Sequence, residues 1–163
     1  MSSALERNYA EAGQGLVRPQ LAPLGQDFDE WITVRSKEWQ QEACVQIRRY
    51  QSRECNDGIS MDTSYECWRR VKIKPFTDRF YDKKDDMRHG LIGAAAFELE
   101  TFVGGTERYA MQFCWLHPFY RGKGLLRKAW PDLNEKFGDF WVSQPRSRAM
   151  QAFLASLGYV DPM

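Results

Sequence analysis

Apolar residues recur every three to four positions through Phe28, Trp31, Ile32, Trp39, Ala43, Ile47 and Tyr50, with charged residues on the opposite side. That period predicts an amphipathic helix over 28–53, one face of which meets a core. The turn-forming run Asn56-Asp57-Gly58 ends it. Upstream, residues 1–26 lack a period and are punctuated by Gly13, Gly15, Pro19, Pro23 and Gly25. They read as an irregular arm with a short strand near Leu16–Leu21. Downstream, Val71 and Ile73 alternate with lysines before Pro75, the pattern of a short strand closed by proline. The polar stretch from Tyr81 to Gly90 reads as a loop or strand-connecting turn.

The pattern sharpens from Leu91. Two strand-like runs, 91–101 and 107–117, flank Phe102-Val103-Gly104-Gly105-Thr106, whose glycines suit a hairpin turn. The first run opens apolar on both faces, as a central strand does. Pro118 ends the second. Leu125, Leu126, Ala129, Trp130, Leu133 and Phe137 follow at helical spacing, and Pro131 among them is expected to kink or split that helix. Gly138 and the following Phe140–Ser143 give a stop and a short strand. Pro145 suits the first position of a last helix, with Ala149, Met150, Phe153, Leu154 and Leu157 on its apolar face. Gly158 is its left-handed cap, and Tyr159 and Val160 begin a final strand. The alternation predicts an α/β (α+β) fold, a mixed central sheet flanked by helices.

Composition narrows the class. The 163 residues fit one domain, 14% are aromatic and 28% charged, as in an ordered globular protein. A net charge of +1 gives no global field toward nucleic acid or an acidic membrane. The apolar run at 91–97 is far shorter than the roughly 20 residues that span a bilayer. The first fifteen residues lack a signal peptide's apolar core. A cytoplasmic protein without membrane attachment is expected. Four cysteines and two histidines match no zinc spacing, so no metal is expected, and each thiol reads as a small buried hydrophobe.

Candidate chemistry concentrates where the second strand runs through Trp115, Leu116, His117 and Pro118 into Phe119-Tyr120-Arg121-Gly122-Lys123-Gly124-Leu125. Glycines two apart at a strand-to-helix junction let successive amides face one point, and the new helix adds its unpaired donors and positive dipole end. Such a concavity holds a pyrophosphate. Arg121, Lys123 and Arg127 place positive charge around it.

This segment resembles motif A of the GNAT N-acetyltransferase superfamily, whose pyrophosphate loop is [RQ]-x-x-G-x-[GA]. Both glycine slots match, at Gly122 and Gly124, while Phe119 replaces the leading Arg or Gln. The last helix resembles motif B in its Gly158-Tyr159 ending, with Ser147 in the Asn slot and Leu154 in the slot of the tyrosine that often protonates the leaving thiolate. The resemblance covers about residues 91–160. It implies acetyl-coenzyme A as co-substrate and a pantetheine arm in the cleft where the strand ending at His117 splays from Phe140–Ser143. Main-chain groups of Trp115, Leu116 and His117 would pair with the arm's amides, and Phe119 to Leu125 with Ser147 would complete the cofactor site. A structural or cofactor-lining role is expected for His117.

The reaction implied is acetyl transfer to a primary amine. A Glu on the strand before the loop serves as base in several members, which points to Glu107. It stands one residue out of step, and a β-bulge would restore its face; Glu98 and Glu100 are the weaker alternatives. The chain is expected to be a single domain, 1–163, with arm 1–26, a divergent acceptor-side half at 27–90 that supports a homodimer, an acetyl-CoA-binding half at 91–160, and a shortened C-terminus. Expected acceptors are a small molecule, a peptide N-terminus, a lysine or an aminoacyl-tRNA. Two other readings stand beside this one. The first is a degenerate GNAT that binds acyl-CoA or a protein without turnover. The second is a toxin acetylating aminoacyl-tRNA, drawing on basic segments at 48–50, 67–74 and 121–128.

Overall fold

The computed structural model describes residues 10–15 and 17–162. After a helical turn at 10–13 come β1 (Gln20–Leu21), α1 (Glu38–Cys55), α2 (Tyr65–Arg70), β2 (Val71–Tyr81), β3 (Met87–Thr101) and β4 (Glu107–Leu116). A 3-10 turn (Pro118–Tyr120), α3 (Leu125–Phe137), β5 (Trp141–Val142) and α4 (Arg148–Leu157) follow. The expected mixed sheet flanked by helices is present, with five strands. β3 is its spine. β2 runs antiparallel along one edge of β3, and β4 and β1 share the other edge end to end. β5 lies parallel to β4 beyond.

β3 is buried on both faces through Ala94, Ala95 and Ala96, and these small side chains let helices approach from both sides. On one face Ala43, Cys44, Ile47 and Tyr50 of α1 pack with Ile73, Ala94, Ala96 and Trp115. On the other, Trp130, Leu133 and Phe137 of α3 and Leu154 of α4 cover Ile92, Phe97 and Met111. Phe97, fully buried, stacks on Phe137 with ring centroids 4.2 Å apart.

Several elements differ from the expectation. The helix begins at Glu38, ten residues later than the apolar period suggests. Residues 29–36 make a turn instead, in which Ser36 Oγ donates to Asp29 and accepts from the Thr33 N–H. Ile32 exchanges both backbone hydrogen bonds with Ile73, at 2.9 Å each. Phe28 meets Trp39 edge-on on the α1 side, whereas Trp31 packs against Phe137 across the sheet. The aromatic period therefore crosses a chain reversal.

β2 runs straight through Pro75. Ile73 directs its N–H and C=O outward to Ile32, and the residue two further on points the same way. The missing donor of Pro75 thus faces outward, and no bond to β3 is lost. The polar 81–90 stretch is strand plus a tight turn in which Asp82 accepts from the N–H groups of Lys84 and Asp86. α3 passes Pro131 unbroken, on the exposed side where water can take the released carbonyl. Pro145 precedes the last helix; its N-cap is Ser147, which accepts from the Met150 N–H at 3.1 Å. Cys44 is buried, as expected of a small hydrophobe, but Cys55 at the exposed end of α1 is not. The Leu16 end of the anticipated first strand lies outside the described residues.

Among the described residues, no strand follows Gly158. Tyr159 instead lies along β5, where its hydroxyl accepts from the Val142 N–H at 3.0 Å and donates to the Phe140 carbonyl at 3.3 Å. Arg146 donates from Nε and Nη2 to the Val142 carbonyl and stacks over the Tyr159 ring. Side chains thus satisfy an edge that would otherwise offer a template for pairing. Tyr159→Phe is expected to lower stability by about 1–2 kcal/mol, read as a reduced urea midpoint at constant m-value, because it orphans the buried Val142 amide.

Among the described residues, no helix is long and apolar enough to cross a membrane, and no three His, Cys, Asp or Glu side chains are grouped to hold a metal.

Candidate functional site: a strand fork and its glycine loop

β4 holds β5 only through Ala110 opposite Trp141 and Met111 opposite Val142, with one further bond from the Ser143 N–H to Met111 at 3.1 Å. Beyond that point the two strands part. The parting coincides with a bulge: Ala96 faces Phe113 and Phe97 faces Met111, leaving Gln112 without an opposite residue. The extra residue reverses the alternation. Tyr109 and Met111 belong with α3 and α4, whereas Phe113 and Trp115 belong with α1.

At the far end the His117 N–H makes a last rung to Ile92 at 2.7 Å, and Pro118, with no donor, turns the chain away. The loop that follows needs glycine twice, at φ +73° for Gly122 and +77° for Gly124. Gly124 is also the N-cap of α3 and offers no side chain to its amides. Among the described residues, the N–H groups from Gly122 through Arg127 have no hydrogen-bond partner. A Cβ built on either glycine meets nothing within 4 Å, so the space beside both glycines is open. Unpaired amides with the positive end of a helix dipole behind them make an anion cradle.

The surrounding side chains fall into two sets. Lys123 lies over the Tyr120 ring, and Arg127 reaches Ser156 on α4; both are exposed. The Tyr120 hydroxyl donates to Asp78 at 2.6 Å, and burial with that carboxylate pushes its pKa up to about 12. Arg121 turns the other way. Its guanidinium makes a bidentate pair with Glu54 at the end of α1, at 2.5 and 2.6 Å. Nε donates to the Leu116 carbonyl at 2.9 Å, and the group stacks over Trp115. Trp115 Nε1 donates to the same Glu54 at 2.7 Å. One carboxylate therefore ties α1 to both the strand and the loop.

Farther up α1, Arg48 lies over the Phe113 ring and Gln51 Nε2 donates to the Cys114 carbonyl at 3.5 Å. Arg48 Nη1 and Gln51 Oε1 are buried with no partner among the described residues. Polar atoms thus line the half of β4 that has left β5.

His117 is buried. Its Nδ1 accepts from the Phe119 N–H at 3.2 Å, so Nε2 carries the proton donated to the Val17 carbonyl at 3.0 Å. Burial holds its pKa below 6.5; the Val17 contact opposes this, and Arg121 adds to it. A neutral ring pinning the N-terminal arm to the loop suits a lining residue. A cavity of about 440 Å³ lies beside it, between Val17–Pro19, Asp78, Phe80 and Lys123.

Trp115, Leu116, His117 and Phe119–Leu125 are thus gathered at one corner. Ser147 caps α4, with no hydrogen bond to that loop. Glu107 sits exposed at the opposite end of β4, facing Thr101, about 30 Å of extended strand from Leu116. Glu54 was missed in the sequence, although it falls four residues after Tyr50 on an otherwise apolar stripe.

No protein-family model and no curated protein matches the chain. Several solved structures resemble it in outline, among them two acetyltransferases. A probable acetyltransferase aligns over 82% of this chain and 89% of its own, at 14% identity and a TM-score of 0.47. Ribosomal-protein-alanine N-acetyltransferase from Brucella melitensis biovar Abortus 2308 aligns over 82% and 92%, at 14% identity and a TM-score of 0.46. Likeness at this level leaves the functional reading to the chain's own residues.

Proposed function

We propose that the chain is a GNAT-type N-acetyltransferase that moves an acetyl group from acetyl-coenzyme A to a primary amine. The observation that carries this is the run of unpaired amides at Gly122–Arg127, in the loop that follows the part of β4 no longer joined to β5. The amides would hold the pyrophosphate, with Lys123 and Arg127 adding charge at its rim. The half of β4 that has left β5 leads from there to the Gln112 bulge and would offer strand N–H groups to the pantetheine arm, since the Cys114 and Leu116 carbonyls already accept from Gln51 and Arg121. Alignment of amine and thioester supplies on the order of 7–11 kcal/mol of barrier reduction. A strand amide at the fork would polarise the thioester carbonyl.

Leu154 is a buried core residue of α4 and has no proton to give the departing thiolate. That proton therefore comes from water or from the group that accepted the amine's proton. Three arginines of the basic segments are already paired, Arg48 with Asp57, Arg70 with Glu98 and Arg121 with Glu54. Their engagement favours a small or peptide amine over transfer RNA as acceptor. Phe28 and Trp31 are used inside the chain, so the reading includes no dimer through them.

The test incubates purified protein with acetyl-coenzyme A and a panel of primary amines. Free thiol released in step with acetylated amine, seen by mass spectrometry, is the expected result. Binding of the thioester with no amine-dependent thiol release would leave a non-catalytic module in its place.

A further inference from the structure

We propose that Glu100 is the general base of this transfer, positioned by Gln112, and that the amine approaches on the α1 face of the sheet. The inference rests on the acetyl-transfer reading above. Strand alternation puts Glu98 and Glu100 on the face that α1 and α2 cover, and Glu98 is met there by Arg70 of α2 at 3.8 Å. Glu100 faces Arg108 across the ladder, yet its Oε1 accepts from Gln112 Nε2 at 2.5 Å. Gln112 is the bulge residue, so its side chain is released from the pleat and swings toward that face. Its own Oε1 accepts from Ser143 Oγ at 3.4 Å, from the first residue past β5.

Carboxylate, amide and hydroxyl thus form a chain of hydrogen bonds across the point where the strands part. A thioester carried from the glycine loop along the half of β4 that has left β5 arrives at this point, after about 13 Å of extended strand between Leu116 and Gln112. Glu107 pairs with Thr101 and so occupies the opposite face, the one Tyr109 and Met111 share.

The step balances. The ammonium gives one proton to the Glu100 carboxylate, directly or through water. The neutral nitrogen forms a bond to the thioester carbon, and collapse of the adduct breaks the C–S bond. The thiolate takes one proton and the amide nitrogen loses its second. The net products are amide, free thiol and one proton released to solvent.

The probe amine is the ε-amine of Nα-acetyl-lysine amide, with a pKa of about 10.4. Near pH 7 almost none of it is neutral, so a base matters; near pH 10 much of it is neutral already. Glu100→Gln, which keeps an acceptor for Gln112, is expected to slow thiol release about 100-fold or more near pH 7. The gap should narrow to within about tenfold near pH 10, with acetyl-CoA affinity by calorimetry unchanged. Gln112→Leu should show the same pH signature in weaker form.

An unchanged rate in Glu100→Gln near pH 7, or a loss equal at both pH values, overturns the proposal. So does a pH-dependent loss in Glu107→Gln in its place. Wild-type protein that fails to bind acetyl-CoA, or binds it and releases no thiol with this or any other primary amine of the panel, sinks the underlying acetyl-transfer reading instead.

Discussion

Gly124→Asp is expected to weaken acetyl-coenzyme A binding by about 1000-fold, and Gly124→Asn by about tenfold or less. Both substitutions place a Cβ at φ +77°, a left-handed conformation that Asp and Asn tolerate better than other L residues. Both meet open space, since no atom lies within 4 Å of the added Cβ. They differ in charge. A carboxylate about 4 Å from a phosphate costs about 4 kcal/mol at an effective dielectric constant of about 20, which is close to three decades in affinity. Calorimetric titration of the two variants beside the wild type separates charge from backbone strain. Equal losses would mean that the loop matters for its shape and that no anion sits in it.

Glu54→Ala is expected to destabilise the fold by about 3 kcal/mol, because it strands a charge and an indole donor together. Arg121 and Glu54 are mostly sequestered, with side chains 23% and 18% exposed, so removing one partner belongs at the low end of the range for buried pairs. Trp115 Nε1 loses its acceptor in the same substitution. Glu54→Gln should cost less, since it can still accept from Trp115. Urea denaturation reads both. The double variant Glu54→Ala/Arg121→Ala should be more stable than the sum of the single losses by about 1 kcal/mol or more, the sign of direct coupling. Strict additivity would show that the bidentate contact is incidental. The consequence for function is that α1, from the N-terminal half of the chain, holds the base of the glycine loop.

The loop itself was legible in the sequence, because glycines two apart between a strand and an apolar helix leave the backbone few alternatives. The central strand was legible for a related reason: an apolar run that does not alternate can only be buried on both faces. Helix α1 was half legible. Its apolar period continues back to Phe28, but Phe28 and Trp31 precede the helix and pack on opposite faces of the sheet. Pro75 read as a strand end because the sequence does not say which way an N–H points, and here it points outward.

The fork could be read only in part. A resemblance to a family suggested that the strands part, but no residue type announces a bulge at Gln112 or pairs it with Glu100 across the ladder. The direction of Arg121 was equally hidden: a basic residue in a phosphate loop looks free until the carboxylate of a helix sixty-seven positions earlier in the chain is found against it. Tyr159 was expected in a strand and instead replaces one, with its hydroxyl serving the edge of β5.

Acetyl transfer as proposed requires the amides from Gly122 to Arg127 to bind the diphosphate of acetyl-coenzyme A. The most direct measurement is a titration of the 15N-labelled protein with acetyl-coenzyme A, followed by backbone amide resonances. The expected result is that the largest displacements fall on Gly122, Lys123, Gly124, Leu125 and Leu126, with a second set along Phe113–Leu116. Unmoved loop amides at saturating ligand, with the displacements elsewhere on the protein, would contradict it.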